Sequence, residues 1–246
     1  MRLFISFILL VTYLEAIITI KPVVIGEKAG FSGNVEGSFQ TKRGNTEKDE
    51  YRLGVKAQYD NNQSYVTFID LIGVYGEASG ERNTNKTYLH TRFIHTLQGA
   101  LNYELFFQSE TNEFTSVDKR RVVGAGVRYH FMDSNWGNLF FGLGTYYENI
   151  SYTTEFDSDE NNIRINAYLA YSKDFSPTVS LSYVGYYQPK VDKINDYIMS
   201  NAMSLKVSIY KQLSLKFKLF YDVDSTPAKG REKIDFTQVS SFSYDF

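Results

Sequence analysis

A set of charged residues recurs at alternate positions of short runs whose other parity is apolar: Glu36, Arg52, Lys56, Arg92, Glu104, Arg128, Glu148, Arg164, Lys206, Lys216 and Lys218. Bases outnumber acids among them. If these side chains converge on one enclosed surface, that surface favours anions, and Lys206, Lys216 and Lys218 on two neighbouring late runs form its densest part. The same residues also admit a structural reading, in which Arg and Glu pair across strands to fill and stiffen an interior.

Other chemistries find less support. Cysteine is absent, which removes thiolate metal sites, disulfides and thiol nucleophiles together. A lipid-acting hydrolase needs Ser and His in reach of one another on one face. Of His90, His95 and His130, only His95 shares the apolar parity of its run, and no Ser stands two residues from it. Glu155, Asp157, Asp159 and Glu160 could draw calcium to a loop, but they lack the ordered glycine and twelfth-position Glu of an EF-hand, so a solvated loop is expected. No glycine-rich phosphate loop, paired catalytic carboxylates or His metal cluster is present, so neither a metal, a cofactor nor an enzymatic activity is expected. Lys and Arg total 26 against 28 for Asp and Glu, a balance that argues against a nucleic acid partner.

The runs that carry these charges read as β-strands. The chain has 20 Tyr and 19 Phe beside only 4 Pro, which favours strands and interfacial rings over helices. Successive strand side chains point to opposite faces. Thus Phe31, Gly33, Val35, Gly37 and Phe39 oppose Ser32, Asn34, Glu36, Ser38 and Gln40, and Tyr51, Leu53, Val55, Ala57 and Tyr59 oppose Arg52, Gly54, Lys56, Gln58 and Asp60. Eight residues at about 3.3 Å, tilted by about 40°, separate the terminal rings by roughly 20 Å, close to the height of a lipid-facing band between aromatic girdles. Tyr65 to Tyr75 is less regular, with Asp70 among Ile69, Leu71 and Ile72. Later runs alternate in the same way, down to Leu213, Leu215, Phe217, Leu219 and Tyr221 against Ser214, Lys216, Lys218 and Asp222.

About twelve such strands are expected, and their connections alternate in length. Long ones at 41–50, 76–86, 109–120, 149–162, 189–196 and 223–233 intercalate with short ones at 60–64, 98–99, 132–138, 174–178 and 210–212. This is the pattern of outer membrane barrels, with short periplasmic turns and longer external loops. Twelve strands close at a backbone diameter of about 24 Å, too wide for side chains to fill as a dry core. The expected fold is therefore all-β: a transmembrane antiparallel up-and-down barrel with a wet, polar interior.

The two ends carry their own signals. Arg2 followed by apolar Leu3 to Leu14 has the layout of a secretory signal peptide, expected over residues 1–20 with Ala16 as a possible cleavage point. At the other end Phe236, Phe242, Tyr244 and Phe246 share one parity against Asp235, Thr237, Ser241, Ser243 and Asp245. That terminal strand resembles the closing strand of bacterial outer membrane barrels. The resemblance implies that Phe242, Tyr244 and Phe246 are read by the barrel assembly machinery.

Two longer stretches resemble a known family. Phe31 to Asp60, with Gly44, Asn45 and Thr46 between two alternating runs, is similar to the salt-induced outer membrane protein family (YdiY-like), a domain of unknown function. So is Arg120 and Arg121 followed by Val122, Val123, Gly124, Ala125, Gly126, Val127, Arg128 and Tyr129, and then Phe141 to Glu148. Where that domain opens on Trp, this chain has Phe31. The resemblance covers the chain from about residue 29 to its end and implies an outer membrane barrel domain over 29–246. The expected role is a narrow passive channel for small, anionic solutes, formed by a monomer among outer membrane lipids of a Gram-negative bacterium. A structural or stress-response envelope protein is the alternative, and a lipid-acting enzyme the second.

Overall fold

A computed structural model of the chain describes residues 21–42, 47–113, 117–152, 158–227 and 232–246. The signal peptide expected over residues 1–20, the turn residues Gly44, Asn45 and Thr46, and the acidic residues Glu155 and Asp157 lie outside them.

Twelve strands follow one another: β1 (Gly30–Lys42), β2 (Lys48–Asp60), β3 (Tyr65–Ala78), β4 (Glu81–Gln98), β5 (Leu101–Asn112), β6 (Val117–Ser134), β7 (Gly137–Tyr152), β8 (Glu160–Ser176), β9 (Val179–Pro189), β10 (Tyr197–Tyr210), β11 (Leu213–Asp224) and β12 (Ile234–Asp245). Each pairs antiparallel with the next, and β12 returns to β1 to close the barrel. Closure matters because an unpaired strand edge cannot be served by water inside hydrocarbon.

The connections differ from the expectation in one respect. Several of the long ones are strands that continue past the bilayer: the segment expected to loop over 76–86 turns in two residues, Ser79 and Gly80, both in the left-handed region at φ 54° and 81°. The polar ladder that extends β4 and β5 there supports itself in water, with Arg82 bonded to Glu113 at 2.5 Å, Asn85 to Glu113 at 2.9 Å and Thr87 to Thr111 at 2.6 Å. Runs polar on both faces read as loops by hydropathy, yet Thr-rich segments in register are good strands.

The apolar parity faces outward. Phe31 is 86% exposed, and Phe39, Leu53, Leu71, Val123, Phe141, Ile163, Phe217 and Phe242 are exposed with it, a surface that only lipid can wet favourably. Rings near the short-turn rim stack along neighbouring strands, as in Phe31 on Tyr59, Tyr59 on Tyr65, Tyr65 on Phe93 and Phe93 on Tyr103. The irregular run in β3 resolves by parity: Ile69 and Leu71 face lipid, while Asp70 and Ile72 line the interior.

The interior departs from a uniformly wet lumen. Phe140, Tyr168, Ala170, Val184, Ala202 and Phe220 form a buried apolar cluster on the β7–β11 wall. A second joins Val66, Phe68 and Ile94 to Val23, which precedes the first strand. Residues 21–29 thus form a strap folded into the lumen. Asp60 holds it, accepting the Gly26 N–H at 2.7 Å as well as the Asn62 N–H at 2.8 Å. Arg128 donates to the Val23 carbonyl at 2.9 Å. The strap fills part of a cross-section that wall side chains alone are too short to cross.

Candidate functional site

The charges singled out above fall into three groups. The first surrounds a chamber of about 230 Å³ between the strap and the wall formed by β9–β12 and β1–β3. Lys206 on β10 and Lys216 on β11 stand directly opposite one another in register, a like-charge pair that strand pairing alone would disfavour. Two carboxylates from the closing strands offset it. Glu36 on β1 accepts from Lys216 Nζ at 3.3 Å, from Lys218 Nζ, and from Ser241 Oγ at 2.7 Å. Asp245 on β12 pairs with Lys206. Lys56 sits opposite Asp70 in register, its Nζ 4.3 Å from the Phe68 ring centroid. Around the chamber as a whole, seven cationic side chains (Lys21, Lys28, Arg52, Lys56, Lys206, Lys216 and Lys218) meet four carboxylates (Glu27, Glu36, Asp70 and Asp245). Ser32, Ser180, Ser182 and Ser204 add hydroxyl donors.

The second group closes the other side of the lumen. Arg92 Nη1 lies 3.3 Å from Glu104 Oε2, which also accepts the Tyr168 hydroxyl at 3.0 Å. The Arg92 guanidinium rests 5.3 Å from the Phe106 ring centroid and 5.8 Å from that of Tyr168, and Arg128 stacks 4.6 Å from Phe140. Each charge here is buried against a partner or a ring, which is what a low-dielectric packing requires. The spaces left are about 40 and 20 Å³.

The third group lies towards the long-hairpin rim. Glu148 is fully buried between Arg120, at 2.6 Å, and Arg164, at 2.9 Å. Arg164 also reaches Asp196 at 3.3 Å in the β9–β10 connection, where Lys190 bridges Asp196 and Glu160 at 3.0 Å each. Burial pushes the Asp196 carboxyl up, but hydrogen bonds from Lys190 and Thr226 together with the Arg164 charge outweigh it and hold it below the ordinary Asp value. Burial lowers Lys190 while its bonds to Glu160 and Asp196 raise it more, so its ammonium stays charged to higher pH than a free lysine.

The structure therefore brings Glu36, Lys56, Lys206, Lys216, Lys218 and Arg52 together, Arg92 with Glu104 and Arg128, and Glu148 with Arg164. Sequence reasoning did not single out Asp60, Asp70, Arg120, Asp196 or Asp245, nor the strap. The parity of Asp60, Asp70 and Asp245 was a usable signal; Asp196 sits in a connection, where parity is silent. Of the histidines, His95 stacks on Tyr103 at 5.3 Å with Nδ1 2.7 Å from the Thr96 carbonyl, and His130 stacks on Phe140 at 4.1 Å. Asp159 accepts the Tyr152 N–H at 3.2 Å. Among the described residues no group of three or more His, Cys, Asp or Glu is placed to hold a metal ion.

The model of the family described as "Protein of unknown function, DUF481" matches residues 35–246. The chain belongs to that family. None of the curated proteins compared with it matches. Among solved structures the DUF481 chain is similar to an outer membrane channel from Pseudomonas putida F1, at 10% identity and a TM-score of 0.54, covering 93% of this chain and 98% of that one. It is also similar to the translocator domain of the autotransporter NalP from Neisseria meningitidis, at 10% identity and a TM-score of 0.53, covering 89% and 87%. At such identity these likenesses speak for the fold: a transmembrane β-barrel of the outer membrane type.

Proposed function

We propose that this DUF481 protein is a monomeric outer membrane barrel of a Gram-negative bacterium, inserted through its Phe242, Tyr244 and Phe246 strand, and that it is a narrow passive channel for small anionic solutes. The short-turn rim then faces the periplasm. The observation that carries the solute class is the chamber, where seven cationic side chains face four carboxylates and Lys206 stands opposite Lys216, a repulsion that Asp245 and Glu36 offset only in part. An anion entering it relieves that repulsion, whereas a cation adds to it. The strap and the Arg92, Glu104 and Tyr168 packing take up the rest of the cross-section, which keeps the path narrow.

Planar bilayer recording tests the reading. The wild type is expected to conduct with anion preference, and the triple change Lys206→Glu, Lys216→Glu and Lys218→Glu to shift the reversal potential towards cations. An unaltered ion preference, or no conductance from wild-type protein that is folded by heat-modifiable gel mobility, overturns it. One observation favours a second reading, a structural or stress-response envelope protein: among the described residues, the spaces left around Arg92 and Arg128 are only about 40 and 20 Å³.

A further inference from the structure

The barrel does not close evenly. Neighbouring strands elsewhere hold long registers, such as Val117 to Ser134 of β6 against Gly137 to Tyr152 of β7. The β1–β12 seam is joined only from Gly33, which exchanges both backbone hydrogen bonds with Phe246, to Gly37 opposite Phe242. Beyond it β1 continues to Lys42 paired with β2 alone, and β12 back to Ile234 paired with β11 alone. Two edges thus run unjoined through the outer part of the wall.

The lipid face changes at the same place. Between Phe236 and Phe242 the outward parity of β12 carries Gln238 and Ser240, both exposed, whereas their partners on β11 are the apolar Leu219 and Phe217. A groove of about 880 Å³ opens there, walled by Phe39, Tyr51, Leu53, Leu215 and Phe242 on the lipid side and reaching Arg52 and Ser241 of the interior. Arg52 also lines the lysine chamber, so one side chain borders both spaces. Among the described residues no carboxylate lines the groove. Unjoined backbone at membrane depth is tolerated only where it is buried in protein or lines a water-filled cavity, and polar side chains on the outward parity serve the same need.

We infer that this seam is a lateral port for a single-chain amphiphile with an anionic head, such as a fatty acid. The head occupies the lysine chamber beside Arg52, and the chain leaves between Phe39 and Phe242 into the bilayer. The apolar walls match the chain, the hydroxyl and amide edges accommodate the polar neck, and the excess of cations matches the head. The inference rests on the anion-chamber reading for the head alone; the chain path rests on the register and the groove.

The full chain in nonionic detergent provides the test, with dodecanoate as probe and acetate and dodecanol as controls. If the register continued, Ser38 would face Ser241, and because the chain has no cysteine the pair Ser38→Cys with Ser241→Cys can be oxidised without competitors. Saturable dodecanoate binding is expected in the wild type, with dodecanol much weaker. Oxidising the pair should weaken it at least about tenfold and reductant should restore it; Arg52→Ala should weaken it roughly tenfold or more, the effect of losing a charge-assisted contact. Acetate conductance of the double variant in bilayers should be the same oxidised and reduced, a comparison within one protein that cancels the lost Ser241 bond to Glu36. Independently, in a Trp136→Phe background, brominated dodecanoate should quench Phe39→Trp saturably but Leu143→Trp, on the far wall, only in proportion to the detergent-dissolved probe. This second measurement decides if the cysteine pair does not fold or oxidise. Dodecanoate binding that is indifferent to the staple, equal quenching at both sites, or dodecanol binding as well as the acid overturns the port. Loss of acetate conductance alone, with port-dependent dodecanoate binding intact, overturns the channel reading and leaves the port standing.

Discussion

Glu148 and Glu36 make a pair of sites with the same ingredients and opposite surroundings. Each is a buried carboxylate held by two basic side chains, Glu148 by one from each neighbouring strand and Glu36 by two from β11, across β12. Glu148 has no exposed surface and its two guanidiniums are packed with it, so these charges are committed to partners within the wall. Glu36 borders a 230 Å³ chamber, and the lysines it holds also face that space. Charge that is locked by packing stiffens the wall, while charge that borders a void is available to a solute. The chemistry of arginine reinforces the difference, since its planar fork suits fixed pairing and the lysine ammonium, a point charge on a flexible stem, can turn to a passing ion.

Removing one partner from each site is the sharpest way to break that comparison. Glu148→Gln leaves Arg120 buried without its acid and Arg164 with Asp196 alone, and should destabilise the folded barrel by about 3–5 kcal/mol, read as a lower urea midpoint in detergent at constant m-value. Asp60→Ala comes next: it removes the acceptor of two backbone N–H groups and frees the strap, at about 2–3 kcal/mol of local stability, and should raise single-channel conductance. Glu36→Gln should cost only about 1 kcal/mol, because water in the chamber solvates Lys216 and Lys218, and it should increase anion preference. If Glu36→Gln proved as costly as Glu148→Gln, the chamber would be packing and not a site.

The smallest effect lies at the rim. A carboxyl held below its ordinary value stabilises at pH above that of the unfolded group, and the contribution disappears as pH falls through the depressed value. Asp196 should therefore keep the β9–β10 connection protected at neutral and mildly acid pH and release it only below the ordinary Asp range. Lys190, raised instead, contributes fully below the ordinary lysine value and stops contributing as pH rises through its own. Amide exchange of the connection across pH should show both edges, and Asp196→Asn should abolish the acid one.

The strand runs were legible because parity is local. Leu213 to Tyr221 shows its two faces without knowledge of any neighbour, and the connections at 98–99 and 210–212 sit where reversals occur. The hairpin through Ser79 and Gly80 was not, since a segment polar on both faces carries no parity contrast. Nor was the filled interior, because Phe68, Phe140 and Phe220 lie on the inward parity of their strands, where an apolar residue gives no sign of what it packs against.

The sequence by itself determined that this chain alternates with period two about a dozen times, and a ring of that many strands is too wide for a dry core, which turns its apolar face outward. Only the tertiary structure decided which charges meet, where the strap lies and where the wall stays unjoined. The reason is that a two-residue slip in any register preserves every facing pattern while changing every partner. The meeting of Glu36 with Lys218, 182 residues apart, and the early end of the β1–β12 ladder at Gly37, are set by closure of the whole ring and by no single strand.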